Sequence, residues 1–506
     1  MKVTGTTGFR ALALATVAGV ALAGGMAAAQ KPAAPGAPVQ ALPTAKPPPL
    51  GAPMQAQPAP APRVAPAPPV VQAPPAAPPP AVAAPAVPAN EPAAITRLRG
   101  MLGARVQLTY ATAEALDATG EQVRMSGVVL QQDSKRATAA EVTIAGLRPD
   151  GVTEAVITGF ATREGNTEVR VARLRVAGLT VPPAAGGPPD PEKVRLEALT
   201  LEGVQTSGDL DMRLASVSLE NWIAGQPVRF AMIGLALNGL DGGVVDGVRL
   251  ARFALEGIDI GAYVSALMRE QAPPNMVGRA TMEADGLTMT GGGRSVGAMR
   301  EMRLTADVTR PDGSGTGTIA FRGIRVEPVP MLAEWLTRFG YQAVEAEITA
   351  GTTYDAGTGR VELSDLTVAG RDVGTLSFSL VMDGVTQARA QSAAFQEMRL
   401  ISMGLTYADA SLFRRFVAMQ SAQTRTPEPQ LREQFAAMAG GALSQPGQAA
   451  LDPIRNAVQR FIRGEAQTVA IRVNPPQPIK LGDLQGGPPG SAGDAQRMFG
   501  VTAEAR

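Results

Sequence analysis

Four stretches of this chain follow one another at a constant spacing of 18 residues: VRLEALTLEGV from Val194, MRLASVSLENW from Met212, FAMIGLALNGL from Phe230 and VRLARFALEGI from Val248. Each has apolar residues at its first, third, sixth, eighth and eleventh positions. Self-similarity at a fixed period marks a chain built by stacking one small supersecondary unit. A shorter form of the pattern recurs outside the array as VTIAGL from Val142, LRVAGL from Leu174 and IAFRGI from Ile319, with a variant, LTVAGR, from Leu366. Within each unit the apolar positions change parity between the third and sixth residues. Side chains of a strand alternate strictly between faces, so a bulge or bend must intervene, or both faces must be covered. The glycine near the end of each unit suits a bend because it accepts positive φ, and Asn221, which replaces it in the second unit, is the next most tolerant residue.

Two architectures satisfy an 18-residue period. A β-solenoid stacks one coil per unit in parallel, whereas an antiparallel meander gives each unit one strand and its turn. The flanking chain favours the meander. VQLTYA from Val106, QVRMSGVVL from Gln122, EVTIAGL from Glu141, EAVITGF from Glu154 and TEVRVARLRVAGL from Thr167 alternate with period two, and GE, DSKR, RPDG and REGN between them are turn sequences. Downstream, residues 344–354, 360–368 and 375–382 read as three more strands. The expected fold is therefore mainly β, a long curved antiparallel sheet with an apolar groove, with the β-solenoid as the alternative. Helices are expected at Ile260 to Gln271 behind Asp259, at Pro330 to Phe339, and in a small C-terminal region at Ala410 to Gln420, Pro427 to Met438 and Pro453 to Arg463. A closing strand, TVAIRV from Thr468, follows. If Leu201, Leu219, Leu237 and Leu255 are equivalent, all four share one face and are largely buried.

The ends of the chain read differently. Lys2 and Arg10 precede an apolar run and Ala27 to Ala29 offer a cleavage site, the layout of a secretory signal peptide over residues 1–29, with an uncleaved inner-membrane anchor as the alternative. Residues 30–95 hold about half of the chain's 43 prolines and read as a disordered tether. The repetitive sheet is expected over 96–395, the C-terminal helices and closing strand over 396–485, and a tail over 486–506. This layout points to an exported, periplasmic protein.

The chain has no Cys and no His. That removes thiolate nucleophiles, Ser-His-Asp triads and the usual zinc or haem ligands. A net charge of +1 and an aromatic content of 4% offer neither the basic field nor the stacking surfaces of a nucleic-acid binder. DGSGTGT from Asp312 continues into a strand, so it reads as a hairpin turn rather than a phosphate or calcium loop. Asp241 and Asp246 in LDGGVVDG, and Asp209 and Asp211 one unit earlier, are the acidic pairs that could hold calcium or serve as acid and base, yet Asp beside Gly is ordinary turn chemistry. No catalytic, cofactor or metal residue is assigned. Arg414, Arg415, Arg425, Arg432, Arg455, Arg460 and Arg463 in the C-terminal helices offer either a peripheral contact with anionic lipid or the solvated face of packed helices.

The repeated strand and glycine units, together with GYQAVEAEITAGTTYDAGTGRVELSDLTVAGRDVGTLSFSLVMDGV from Gly340, resemble the strand pattern of AsmA-like envelope proteins and, more closely, of uncharacterised exported bacterial proteins of that style. The resemblance covers roughly residues 100–485. It implies an elongated curved sheet with an apolar groove and a role in lipid handling or envelope assembly. The chain departs from the better-known members in being shorter and in offering no convincing permanent transmembrane anchor. The leading expectation is a non-enzymatic envelope protein that binds or shields phospholipid or glycolipid, or supports an envelope protein partner. The alternatives are an interaction scaffold with a filled core and a carboxylate-based hydrolase.

Overall fold

The computed structural model describes residues 91–103, 105–133, 135–182, 190–208, 211–271, 274–386, 395–442, 451–486 and 492–506. The expected leader and most of the expected tether, the loop 183–189, and Asp209 lie outside them. The described residues form one open antiparallel sheet of 20 strands, not closed into a barrel. From β3 (Gln122–Gln132) to β17 (Arg399–Asp409) every strand pairs with the strands before and after it in sequence. The 18-residue units are four of these strands: β7 (Leu196–Ser207), β8 (Asp211–Trp222), β9 (Val228–Gly242) and β10 (Val245–Ile258). The meander holds and the solenoid does not. Connections as short as that between Ser207 and Asp211 cannot make the crossover a parallel coil requires.

The parity change in each unit is a real bend. On β7 Leu196, Leu199, Leu201 and Val204 are all buried, so the inward face shifts parity twice within one strand. The second shift falls at Gly203, whose φ is 62°. Its missing Cβ lets Ala172 of β6 (Thr167–Thr180) approach so closely that an added carbon would stand 2.8 Å from the alanine Cβ. The same arrangement repeats on alternate strands, with Gly159 facing Ala140, Gly234 facing Ala215 and Gly286 facing Ala251. Asn221 does adopt the left-handed conformation, at φ 62°. Its short polar side chain tolerates that region better than other residues.

Helices interrupt or flank this sheet rather than forming a separate layer. α1 (Ala93–Leu102) precedes β1 (Gln107–Thr109) and β2 (Thr112–Ala115), which share the free edge of β3. Thus VQLTYA is a broken edge, and residues 93–95 belong to a helix instead of the tether. α2 (Ile260–Met268) follows β10 and ends before the expected Gln271. β11 (Gly278–Gly291), β12 (Arg294–Val308) and β13 (Gly315–Val326) lead to α3 (Pro330–Phe339), then β14 (Val344–Asp355), β15 (Arg360–Gly370) and β16 (Gly374–Asp383). After β17 come α4 (Leu412–Thr424), α5 (Glu428–Ala442) and α6 (Asp452–Arg463), inserted before β18 (Thr468–Val473) pairs back on β17. The short β19 (Ile479–Lys480) also pairs with β17. The expected tail is instead α7 (Ala492–Phe499) and the edge strand β20 (Val501–Ala505), which pairs with β18. The C-terminal region is therefore a continuation of the same sheet.

Candidate functional site

Residues directly opposite one another in an antiparallel ladder project from the same face. One such row crosses nearly the whole sheet. It begins with Met125, Val142, Ile157, Leu174, Leu201 and Val217 and continues through Met232, Phe253, Ala284, Met302, Phe321 and Ile348. It then reaches Val368, Leu376, Tyr407 and Val469. A parallel row two residues away contains Val123, Ile144, Val176, Leu199, Leu219, Phe230, Leu255, Met282, Leu304 and Ile319. Apart from Asp409 at the end of β17, the inward positions of β12 to β17 contain no Asp, Glu, Lys or Arg.

The two rows are equally apolar throughout but not equally covered. From Met125 to Ala284 the first row is at most 9% exposed. Met302, Phe321 and Ile348 are half-buried, and Val368 and Leu376 reach 39% and 41%. Ile319 and Leu405, on the same face, are exposed as well. The four expected leucines do share this face, but only Leu201 and Leu219 are buried, whereas Leu237 and Leu255 are half-buried. Cover declines along the sheet even within the repeat array.

Helices close the apolar face near both sheet edges. Ile95, Leu98 and Leu102 form the buried stripe of α1, at the spacing of one helical face. Leu98 and Leu102 face Met125, Val142 and Ile157 across a cavity of only about 30 Å³. Arg97 pins the helix by bonding Glu121 and the Leu147 carbonyl, and Arg99 by bonding Glu91 and the Leu108 carbonyl. At the far end Phe461 of α6 meets the Tyr407 ring edge-on at 5.8 Å and Phe413 of α4 at 5.3 Å. The Tyr407 hydroxyl donates to Asp409 at 2.7 Å, and the same carboxylate oxygen accepts the Phe413 N–H at 2.8 Å. Burial, reinforced by the hydrogen bond and charge of Asp409, pushes the Tyr407 phenol well above its ordinary value. It stays a neutral donor in an apolar row.

The opposite face is polar and largely self-neutralised. Glu283 bridges Arg252 at 3.0 Å and Arg303 at 2.6 Å, Glu345 bridges Arg325 at 2.6 Å and Arg371 at 2.9 Å, and Arg322 pairs with Glu301 at 3.3 Å. Partial burial raises Glu283, but the two arginines outweigh it and hold the carboxyl below its usual range. A recess of about 650 Å³ beside Arg229, Glu256, Arg279, Glu283 and Arg303 mixes both signs of charge.

The acidic residues singled out in the sequence serve turns. Asp246 accepts from Thr290 and from the Gly292 N–H, holding the β11–β12 turn. Asp312 accepts the Ser314 N–H at 2.9 Å. Asp211 is exposed at the start of β8, and the Asp241 side chain lies outside the described residues. Among the described residues no group of three or more metal-ligating side chains converges. Five of the seven C-terminal arginines are engaged. Arg415 bonds the Phe339 and Gly340 carbonyls and lies 4.3 Å from the Tyr341 ring centre, and Arg432 bonds the Ile462 carbonyl. Arg455 pairs with Asp452, Arg460 with Glu465 and Arg463 with Glu433. Arg414 and Arg425 remain exposed. Among the described residues no helix is long and apolar enough to cross a membrane.

Residues 367–506 match the model of a protein family described as "Uncharacterized protein". That stretch takes in Val368, Leu376, Leu405 and the helices that close the far end of the face. No curated protein matches the chain.

Proposed function

We propose that the protein is a non-enzymatic, exported lipid-binding component of the cell envelope that holds acyl chains on the uncovered part of its apolar face. The observation that carries this reading is the apolar face of β12 to β17, whose one charged position is Asp409 at the strand end, with Ile319, Val368, Leu376 and Leu405 exposed on it. Leu376, Phe378, Leu380 and Met382 give β16 an apolar stripe about 20 Å long, longer than the ~15 Å of one leaflet's hydrocarbon. Five inter-strand spacings make it about 24 Å wide. Such a patch, roughly 500 Å², falls short of the ~800 Å² per partner of a stable protein interface. An acyl chain needs no matching polar rim. The covered half, β3 to β11, supports the scaffold reading for that part of the sheet alone.

The test is binding of a fluorescent fatty-acyl probe to delipidated full-length protein. The expected affinity is micromolar or tighter, about −8 kcal/mol. Leu376→Glu places a charge on the face and weakens binding by about tenfold or more, equivalent to 1.4 kcal/mol. Ser379→Glu, on the opposite face of the same strand, leaves binding unchanged. Delipidated protein that binds no probe leaves the scaffold reading in place.

A further inference from the structure

We propose that α2 docks one end of the sheet on the surface of a lipid bilayer. The helix is fixed firmly at its base. Asp259 caps it by accepting the Ala262 N–H at 3.0 Å, and its other oxygen accepts the Gly225 N–H of the β8–β9 loop at 2.7 Å. Ile260, Ser265 and Ala266 are buried, and Arg269 reaches Glu192 at 3.5 Å and Asp190 at 3.7 Å. The other side of the same helix faces solvent with Tyr263 at 49%, Leu267 at 70% and Met268 at 55% exposure. Tyr263 and Leu267, at i and i+4, share one face of the helix, and Met268 lies beside them toward its end. No charge interrupts it.

The occupant is argued from size and chemistry. Three side chains exposed to this extent present on the order of 300 Å² of apolar surface, well under half of what a stable protein interface uses per partner. A second copy docking stripe to stripe would therefore bury too little. A bilayer imposes no such minimum, because apolar tips enter it individually while a tyrosine ring settles at the headgroup level. Of the neighbouring charges, Arg269 is paired with two acids and Glu270 is an exposed carboxylate, so the surface need not be anionic.

Position adds a second argument, which rests on the lipid reading above. Gly278, ten residues beyond the end of α2, pairs with Val308 on β12. The helix therefore stands at the sheet end where β12 and β13 of the uncovered face turn into one another. Docking there sets the ends of the open strands toward a source of lipid. The opposite sheet end is the rival site, since Leu332 and Trp335 of α3 are exposed. Trp335, however, already packs on Phe339 at 4.8 Å and Tyr341 at 6.3 Å.

The test is co-sedimentation of the full chain with neutral phosphatidylcholine vesicles at low and high salt. Expected are binding that salt does not weaken, and a loss of about tenfold or more in the Leu267→Glu/Met268→Glu variant, with its unfolding midpoint and acyl-probe affinity unchanged. Vesicle binding equal to wild type in that variant overturns the proposal, as does loss of binding in Trp335→Ser alone. A requirement for anionic lipid that salt abolishes overturns it in favour of an electrostatic contact, and self-association through these side chains without vesicle binding assigns the stripe to a second copy. Lost vesicle binding with retained probe binding defeats only the docking. Absent probe binding in the wild type defeats the lipid reading itself.

Discussion

Leu219→Ala destabilises the folded chain by about 3 to 5 kcal/mol, among the largest effects of any single truncation in the sheet. Leu219 is fully buried and stands directly opposite Leu199 on one side and Phe230 on the other. Removing its branch forfeits the transfer of the lost carbons from water and leaves a cavity that the paired backbones cannot collapse into. The same change at Leu376 costs under about 1 kcal/mol, because a side chain already 41% exposed leaves no closed cavity. Urea unfolding midpoints of the two variants check this. Similar midpoints would mean that the two halves of the face are equally covered.

Gly203→Val is the second large effect, at about 2 to 6 kcal/mol. A β-branched residue held at φ 62° costs about 1 to 3 kcal/mol in backbone strain. Its Cβ also meets the Ala172 Cβ at 2.8 Å, and overpacking of this kind adds about 1 to 3 kcal/mol. Gly165 separates the two terms, for it has φ 60° and nothing within 4 Å of an added Cβ. Gly165→Val should show the strain alone. Equal midpoints for the two variants would remove the close glycine-to-alanine approach from the account of the bends.

Much of the fold can be read in the sequence because its signals are local. Period-two runs, short turn sequences and the parity change within each repeat determine strands, hairpins and bends without any distant contact. The glycine in LEALTLEGV announces a bend because only a bend reconciles Leu199 and Leu201 with Val204 on one face. The degree of cover is different. Leu199 and Leu376 are both leucines on strands of similar pattern, yet the first is 2% exposed and the second 41%. What separates them is cover by the rest of the fold, and no strand pattern encodes that. α1 was hidden for another reason: its Ile95, Leu98, Leu102 stripe starts beside Pro92, at the end of a long Pro/Ala-rich stretch whose composition masks a short helix. α7 and β20 are likewise too short for periodicity to reveal.

The absence of native cysteine allows the central claim to be measured residue by residue. Single cysteines placed at Leu174, Leu219, Val368, Leu376 and Leu405 report the cover of one continuous apolar face through their rate of reaction with a small thiol reagent in the folded protein. Val368, Leu376 and Leu405 are predicted to react quickly when delipidated and to be protected by added lipid, while Leu174 and Leu219 react only on unfolding. Equal rates along the face, or rates at Val368, Leu376 and Leu405 that lipid leaves unchanged, would contradict a face that is closed over one half and open to acyl chains over the other.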